Sequence, residues 1–291
     1  MKLSGFTFLR NAEELCFPYI QSIQSILPIC DEFIIALGKS HDNSPALLHQ
    51  LVKANPRIKI IETVWNEHMQ VKGYTYAQQK MIAQFACTGD WLFYLEGDEI
   101  VHEKDLPVIQ DALYRYKDDK KVEALAFHYY HFYGNTNTCL SSPTWYRYAP
   151  RIIKASVRSY APDGLYWLVL DPAKSNRIAR YPKAKLLDSF IYHYGWVRPE
   201  TAMSKKISQV NKHWGKSEGF DSKYSDIDSQ ILTRFTGEHP KIIAGFFAEE
   251  EGLFKANPNH TLTKKEKRQR FKMKLEKWFG VDLSRKYFKK I

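Results

Sequence analysis

The densest chemistry in the sequence lies in Glu96-Gly97-Asp98-Glu99. Two carboxylates separated by one small residue can turn oxygens toward a hard divalent cation, Mg²⁺ or Mn²⁺, while Gly97 lets a phosphate come close to the backbone. A cation held there would bridge a diphosphate and stabilise the charge that develops as it leaves. The same turn could instead serve as an acidic cap for the helix that follows, because acidic side chains favour helix N-termini. The preceding run, residues 91–95 (WLFYL), weighs toward chemistry. Apolar on both faces, it reads as a central parallel strand, and ligands of open α/β sheets sit at the carboxyl ends of such strands.

The elements that must place this turn alternate between strand and helix. Residues 2–9 read as a strand and 17–27 as an amphipathic helix, with Ile20, Ile23, Ile26 and Leu27 at helical spacing. A second strand over 31–37, a helix over 44–54, a third strand over 58–64 and a helix over 74–86 follow, punctuated by Gly, Asn and Pro. This order predicts an α/β fold with a mostly parallel sheet flanked by helices. A helix is expected over 104–116, then strand-like, strongly aromatic segments over 122–133 and 145–154 that leave the regular alternation.

The bulk properties suit such a fold. With 291 residues and 44% apolar content, the chain can bury a large core. No basic leader with an apolar stretch opens it and no long apolar run occurs, so a cytosolic location is expected. Cys16, Cys30, Cys87 and Cys139 make neither a zinc pattern nor a redox pair. The net charge of +11 resides mainly in the tail: residues 263–291 hold 12 Lys/Arg against 3 Asp/Glu, which leaves 31 basic and 29 acidic residues, +2, for the rest. The body carries no nucleic-acid-binding pattern, and no nucleic-acid partner is expected.

The run Gly89-Asp90-Trp91-Leu92-Phe93-Tyr94-Leu95-Glu96-Gly97-Asp98 resembles a segment of family 2 glycosyltransferases, which have the GT-A fold. Phe8-Leu9-Arg10-Asn11 is similar to the end of that family's first strand, Ser40-His41-Asp42-Asn43-Ser44 to the loop after its second, and Gly73 with Ala77-Gln78-Gln79 to a later helix. The resemblance covers residues 2–106. It implies a GT-A-like nucleotide-sugar-binding domain over 1–200 with a helical, basic extension over 201–291. It also implies inverting transfer from a nucleotide-sugar donor to a glycan or lipid-linked acceptor, dependent on a divalent metal. Glu96 and Asp98 would then hold Mn²⁺ or Mg²⁺, and Arg10, Asn11, Asp42 and Gly97 would bind the nucleotide sugar. Three departures stand out: Leu37-Gly38 where many members carry an Asp pair, Gln78-Gln79 in place of Arg-Asn, and Glu96 in place of the first Asp of D-x-D.

Tyr192-His193-Tyr194-Gly195-Trp196 is similar to a motif of a bacterial subgroup, and the resemblance assigns His193 to the metal or the diphosphate. Read without it, His193 is a histidine packed among aromatics. Inversion needs a base near the acceptor hydroxyl. Asp163, in a Pro/Gly-framed loop, is the candidate, with Asp171 and Asp188 in reserve and a turn-forming role as the alternative. Most of the aromatic side chains between Phe127 and Trp196 are expected in the core.

In the tail, Phe271, Leu275, Trp278 and Phe279 form a stripe at helical spacing among basic residues, with Gly280 as the stop. Leu283, Tyr287 and Ile291 are expected to continue it on a second short helix. The stripe is expected to pack on the body. Peripheral contact with the inner face of an anionic membrane is the alternative. Two other functional readings stay open. A nucleotidyltransferase would want a Gly-rich phosphate loop that Arg10-Asn11-Ala12-Glu13 does not provide, and a non-catalytic sugar- or partner-binding relative is favoured by Leu37-Gly38 and Gln78-Gln79.

Overall fold

The structure, a computed structural model, describes residues 1–170, 179–215, 224–248 and 252–291. Strands β1 (Leu3–Leu9), β2 (Glu32–Gly38) and β3 (Ile58–Thr63) run parallel, and β4 (Trp91–Tyr94) lies parallel to β1 on its other side. Every residue of β2 and β4 is buried, as continuous apolar runs covered on both faces require. Helices α1 (Tyr19–Ile26), α2 (Ser44–Ala54) and α3 (Tyr74–Ala86) connect them. Ile23 and Ile26 of α1 enter the same core as Phe33 and Ile35 of β2.

Beyond β4 the sheet becomes mixed and curls. Strand β5 (Glu99–Val101) follows the acidic turn, and α4 (Leu106–Tyr116) packs behind it against a later strand. β6 (Ala124–Tyr133), β7 (Asn135–Leu140) and β8 (Tyr148–Lys154) are antiparallel neighbours, with β8 closing against β4. A separate small sheet holds β9 (Ser159–Tyr160), β10 (Leu168–Leu170) and β11 (Ala179–Arg180). The long β12 (Lys183–Trp196) then runs parallel to β6 and antiparallel to β5. The α/β architecture expected from the sequence is the one found, with the parallel strands β4, β1, β2 and β3 forming one end of the sheet.

After β12 come α5 (Glu200–His213), β13 (Leu232–Arg234), α6 (Lys264–Phe279) and β14 (Lys289–Lys290). Helix α6 begins with a capping box between Thr263 and Glu266 and stops at Gly280 in the left-handed conformation, φ 62°, which glycine adopts without steric cost. The tail corrects two expectations. No second helix follows. Tyr287 and Phe288 are adjacent and both buried, which suits an extended chain presenting alternate faces, and β14 pairs with the start of β12. The apolar stripe of α6 does not pack on the body either. The inward face carries Gln269, Met273 and the ion pairs Arg270–Asp228 (2.7 Å) and Glu276–Arg147 (2.8 Å). Phe271, Trp278 and Phe279 are left 59%, 69% and 69% exposed.

Candidate active site

The acidic turn stands where the parallel half of the sheet hands over to the curled half. β5 pairs with β12 rather than with β4, and the registers place His193 opposite Glu99 on one side and opposite His131 on the other. In-register residues of neighbouring strands share a face, so residues remote in sequence converge on this turn.

Each carboxylate of the turn has its own environment. Glu99 is fully buried and takes Arg151 in a fork, Nε to Oε2 at 2.8 Å and Nη2 to Oε1 at 2.6 Å, with the Tyr129 hydroxyl donating to Oε1 at 2.8 Å. Arg151 is itself fully buried at a β-bulge of β8, where Leu125 faces Ile152 but Ala126 faces Pro150. The extra residue of a bulge is re-aimed, and here it also reaches Glu96, Nη2 to Oε1 at 3.1 Å. Glu96 is the most open of the three, its side chain 30% exposed. Burial and the neighbouring Glu99 raise its pKa, against the pull of Arg151.

Asp98 has a different set of partners. Its Oδ2 accepts from Lys206 Nζ at 2.8 Å and Arg198 Nη2 at 3.3 Å, and its Oδ1 lies 3.6 Å from His193 Nε2. Burial works against its charge, but Lys206 and Arg198 outweigh that cost and hold the carboxyl well below the usual range. The His193 pKa is lowered by burial.

A cavity of about 320 Å³ opens over Glu96, Gly97 and Asp98, with Arg10 and Trp65 on one wall and Lys206 above. Helix α5 covers it, tied down by the pairs Lys205–Glu14 (2.8 Å), Lys206–Asp98 (2.8 Å) and Lys212–Glu67 (3.0 Å). Trp65 explains one departure from the family pattern. A Cβ on Gly38 would stand 2.3 Å from Trp65 Nε1, so the indole occupies the space an Asp side chain would need.

The residues singled out from the sequence fall into two groups. Glu96, Asp98 and His193 come together, and Arg10 and Gly97 line the cavity beside them. Arg10 is paired with Glu67 at 2.6 Å and lies over the Trp65 ring. Asn11 and Asp42 are occupied with backbone: Asn11 Oδ1 accepts from the His41 amide at 2.9 Å, and Asp42 accepts from the amides of Glu14 and Ser44 at 2.9 and 3.0 Å. Asp163 Oδ1 accepts from the Leu165 amide at 2.8 Å, within a loop whose Gly164 and Leu165 line the cavity. Asp188 is exposed on β12; Asp171 lies outside the described residues. Arg151, Arg198, Lys206, Trp65 and His131 carry no motif, and sequence reasoning missed them.

The donor set fits a hard divalent cation. One atom each from Glu96, Asp98 and His193 lie within 4.8 Å of one another, and two carboxylate oxygens with an imidazole suit Mn²⁺ or Mg²⁺. The space is kept clear by Gly195, where a Cβ would come 2.4 Å from His193 Nε2 and 3.2 Å from Asp98 Oδ2.

Residues 19–160 match the family described as Glycosyl transferase family 2. No curated protein matches the chain. Among solved structures, residues 1–349 of S. aureus TarS are similar with a TM-score of 0.40 and 12% identity, covering 74% of this chain and 72% of that one. The same residues in complex with UDP-GlcNAc give a TM-score of 0.42 at 10% identity, over 78% and 70%. Against the longer TarS structure the TM-score is 0.40 at 12% identity, and the match spans 78% of this chain but 42% of that one.

Proposed function

We propose, from the match of residues 19–160 to the family described as Glycosyl transferase family 2, that the chain is an enzyme of that class and transfers a sugar with inversion from a nucleotide-sugar donor held in the cavity over Glu96 and Asp98. The acceptor is a glycan or a lipid-linked sugar. The observation that carries this reading is the convergence of Glu96, Asp98 and His193 beside a cavity that Glu96, Asp98 and Lys206 line. A divalent cation held by these three would supply Lewis-acid stabilisation of the departing diphosphate.

The chain's own residues do the rest. Lys206, on α5, donates to Asp98 and lines the cavity, so α5 places a positive charge beside the diphosphate. Arg10, oriented by Glu67 and Trp65, meets the donor at the end of β1. Asn11 and Asp42 set the loops that shape the nucleotide end of the cavity through their backbone hydrogen bonds. Asp163 is the proposed base. Burial pushes its carboxyl pKa up, the direction that favours taking a proton from an acceptor hydroxyl.

Turnover of a panel of nucleotide sugars, with Mn²⁺, Mg²⁺ or a chelator, tests this reading. We expect cation-dependent donor consumption and a product of inverted anomeric configuration. Donor binding without turnover under every cation would instead identify a non-catalytic relative.

A second observation bears on where the acceptor is met. Phe271, Trp278 and Phe279 stand exposed on a helix whose segment, residues 263–291, holds 12 basic against 3 acidic residues. No helix among the described residues can cross a membrane. Basic helices with exposed aromatics lie in the interface of anionic bilayers, and this surface is read as such a contact. Sedimentation with phosphatidylglycerol vesicles but not with phosphatidylcholine vesicles is expected, and its loss in W278S/F279S. Equal sedimentation of that variant would refute the contact.

A further inference from the structure

His131 touches no part of the cavity, yet its position determines what His193 can offer there. It is 3% exposed on β6, with Tyr129 stacked on its ring at 5.2 Å and Trp145 and Tyr146 packed around it. No carboxylate among the described residues bonds to it, and a ring buried among aromatic side chains is held neutral. Its Nε2 stands 2.8 Å from the Tyr146 carbonyl oxygen. A carbonyl only accepts, so Nε2 carries the proton and Nδ1 is left with a lone pair.

That lone pair faces His193 Nδ1 at 2.8 Å. Two bare nitrogens at this distance would repel, so His193 Nδ1 bears hydrogen and donates. In the neutral His193 ring Nε2 is then unprotonated, and Nε2 is the atom turned toward Asp98 Oδ1, 3.6 Å away. A lone pair facing a carboxylate is unfavourable unless a positive charge lies between them. Gly195 leaves that space open.

We propose that His131 is a positioning residue that sets the tautomer of His193, through the relay Tyr146 carbonyl to His131 to His193, and thereby delivers the Nε2 lone pair to a divalent cation shared with Asp98 and Glu96. The proposal rests on the cation reading given above. His131 itself contributes no atom to the cation. Partners that orient a ligating histidine typically change metal affinity by about 10- to 100-fold when removed.

Two measurements test it. The first is Mn²⁺ titration of the full chain followed by the electron paramagnetic resonance signal of free Mn²⁺, for the wild type, D98N, H131F and H131Q. Wild type should bind and D98N should not. H131F, which cannot accept from His193, should bind about 10- to 100-fold more weakly, and H131Q, whose amide oxygen can accept, should recover part of that loss. If wild type binds and H131F binds equally well, the relay is wrong while the cation site stands; if wild type does not bind, both fall together. The second needs no variant and so survives a misfolded H131F. The ¹⁵N shifts of the ring nitrogens in metal-free protein should report His193 protonated at Nδ1 and bare at Nε2. A His193 protonated at Nε2, alone or together with Nδ1, would overturn the proposal.

Discussion

The two ends of the parallel strands each bury acid, and Glu32 at one end and Glu96 at the other are treated in opposite ways. At the amino end, Glu32 opens β2 and is 3% exposed. It accepts from Ser4 Oγ at 2.7 Å, from the Thr88 amide and hydroxyl at 2.7 and 2.8 Å, and from Lys59 at 3.2 Å. Burial raises its pKa, but these hydrogen bonds win and hold it at about 2. At the carboxyl end, Glu96, Asp98 and Glu99 crowd together with Arg151, Arg198 and Lys206; these cations hold Asp98 and Glu99 down, and Glu96 alone of the three is pushed up. A carboxylate whose acceptors are all met locks three strands. One whose charge is opposed by its surroundings is left to be completed by a ligand.

Substitutions at the two ends should therefore separate activity from stability. The largest effect is expected for D98N, with transfer reduced by about 10³-fold or more and a far-ultraviolet circular dichroism spectrum like that of the wild type. A D98N that keeps full activity would erase the distinction between the ends. Next comes E32Q, which should cost about 3 kcal/mol at neutral pH, taken from a carboxyl held at about 2 against an ordinary 4.5. Activity per folded molecule should be unchanged. Because the folded pKa is the depressed one, this stabilisation is complete above the unfolded value and fades as pH falls toward about 2. Urea denaturation should show wild type and E32Q converging in acid.

Smaller effects sharpen the contrast. G195A would place a Cβ against His193 Nε2, at 2.4 Å. It should weaken Mn²⁺ binding in calorimetric titration while costing about 1–3 kcal/mol of stability, the usual penalty of overpacking. E96Q should leave stability unchanged or raise it by up to about 1 kcal/mol when measured in chelator, since burial and Glu99 both oppose the charge it removes. A marked fall in its melting temperature would place Glu96 with Glu32, as a structural acid.

The parallel half of the sheet was legible because β4 and the stretch of β2 after Glu32 are unbroken apolar runs, and such runs have few alternatives once both faces are covered. Glu96 and Asp98 were legible because they sit at the end of such a run. His193 needed the family motif, since what makes it part of the site is a register between β12, β5 and β6 that no local pattern encodes. Arg151 escaped because its placement depends on a bulge, and Lys206 because on a mainly polar helix it looks like any solvated lysine until α5 folds over the cavity. The tail misled for a related reason. Spacing showed that Phe271, Trp278 and Phe279 share a face of α6, but the side turned to the body was decided by Asp228 and Arg147, which claim Arg270 and Glu276 instead.

The central claim is that the acids at the carboxyl end hold a cation against a diphosphate. A thermal-shift series of nucleoside diphosphates with and without Mn²⁺ addresses it most directly, because a ligand that binds only the native state raises the melting temperature. At saturating ligand the wild type should gain several degrees with both components together, far more than with either alone, and D98N should gain nothing. A diphosphate shift of equal size in chelator, retained by D98N, would contradict the account.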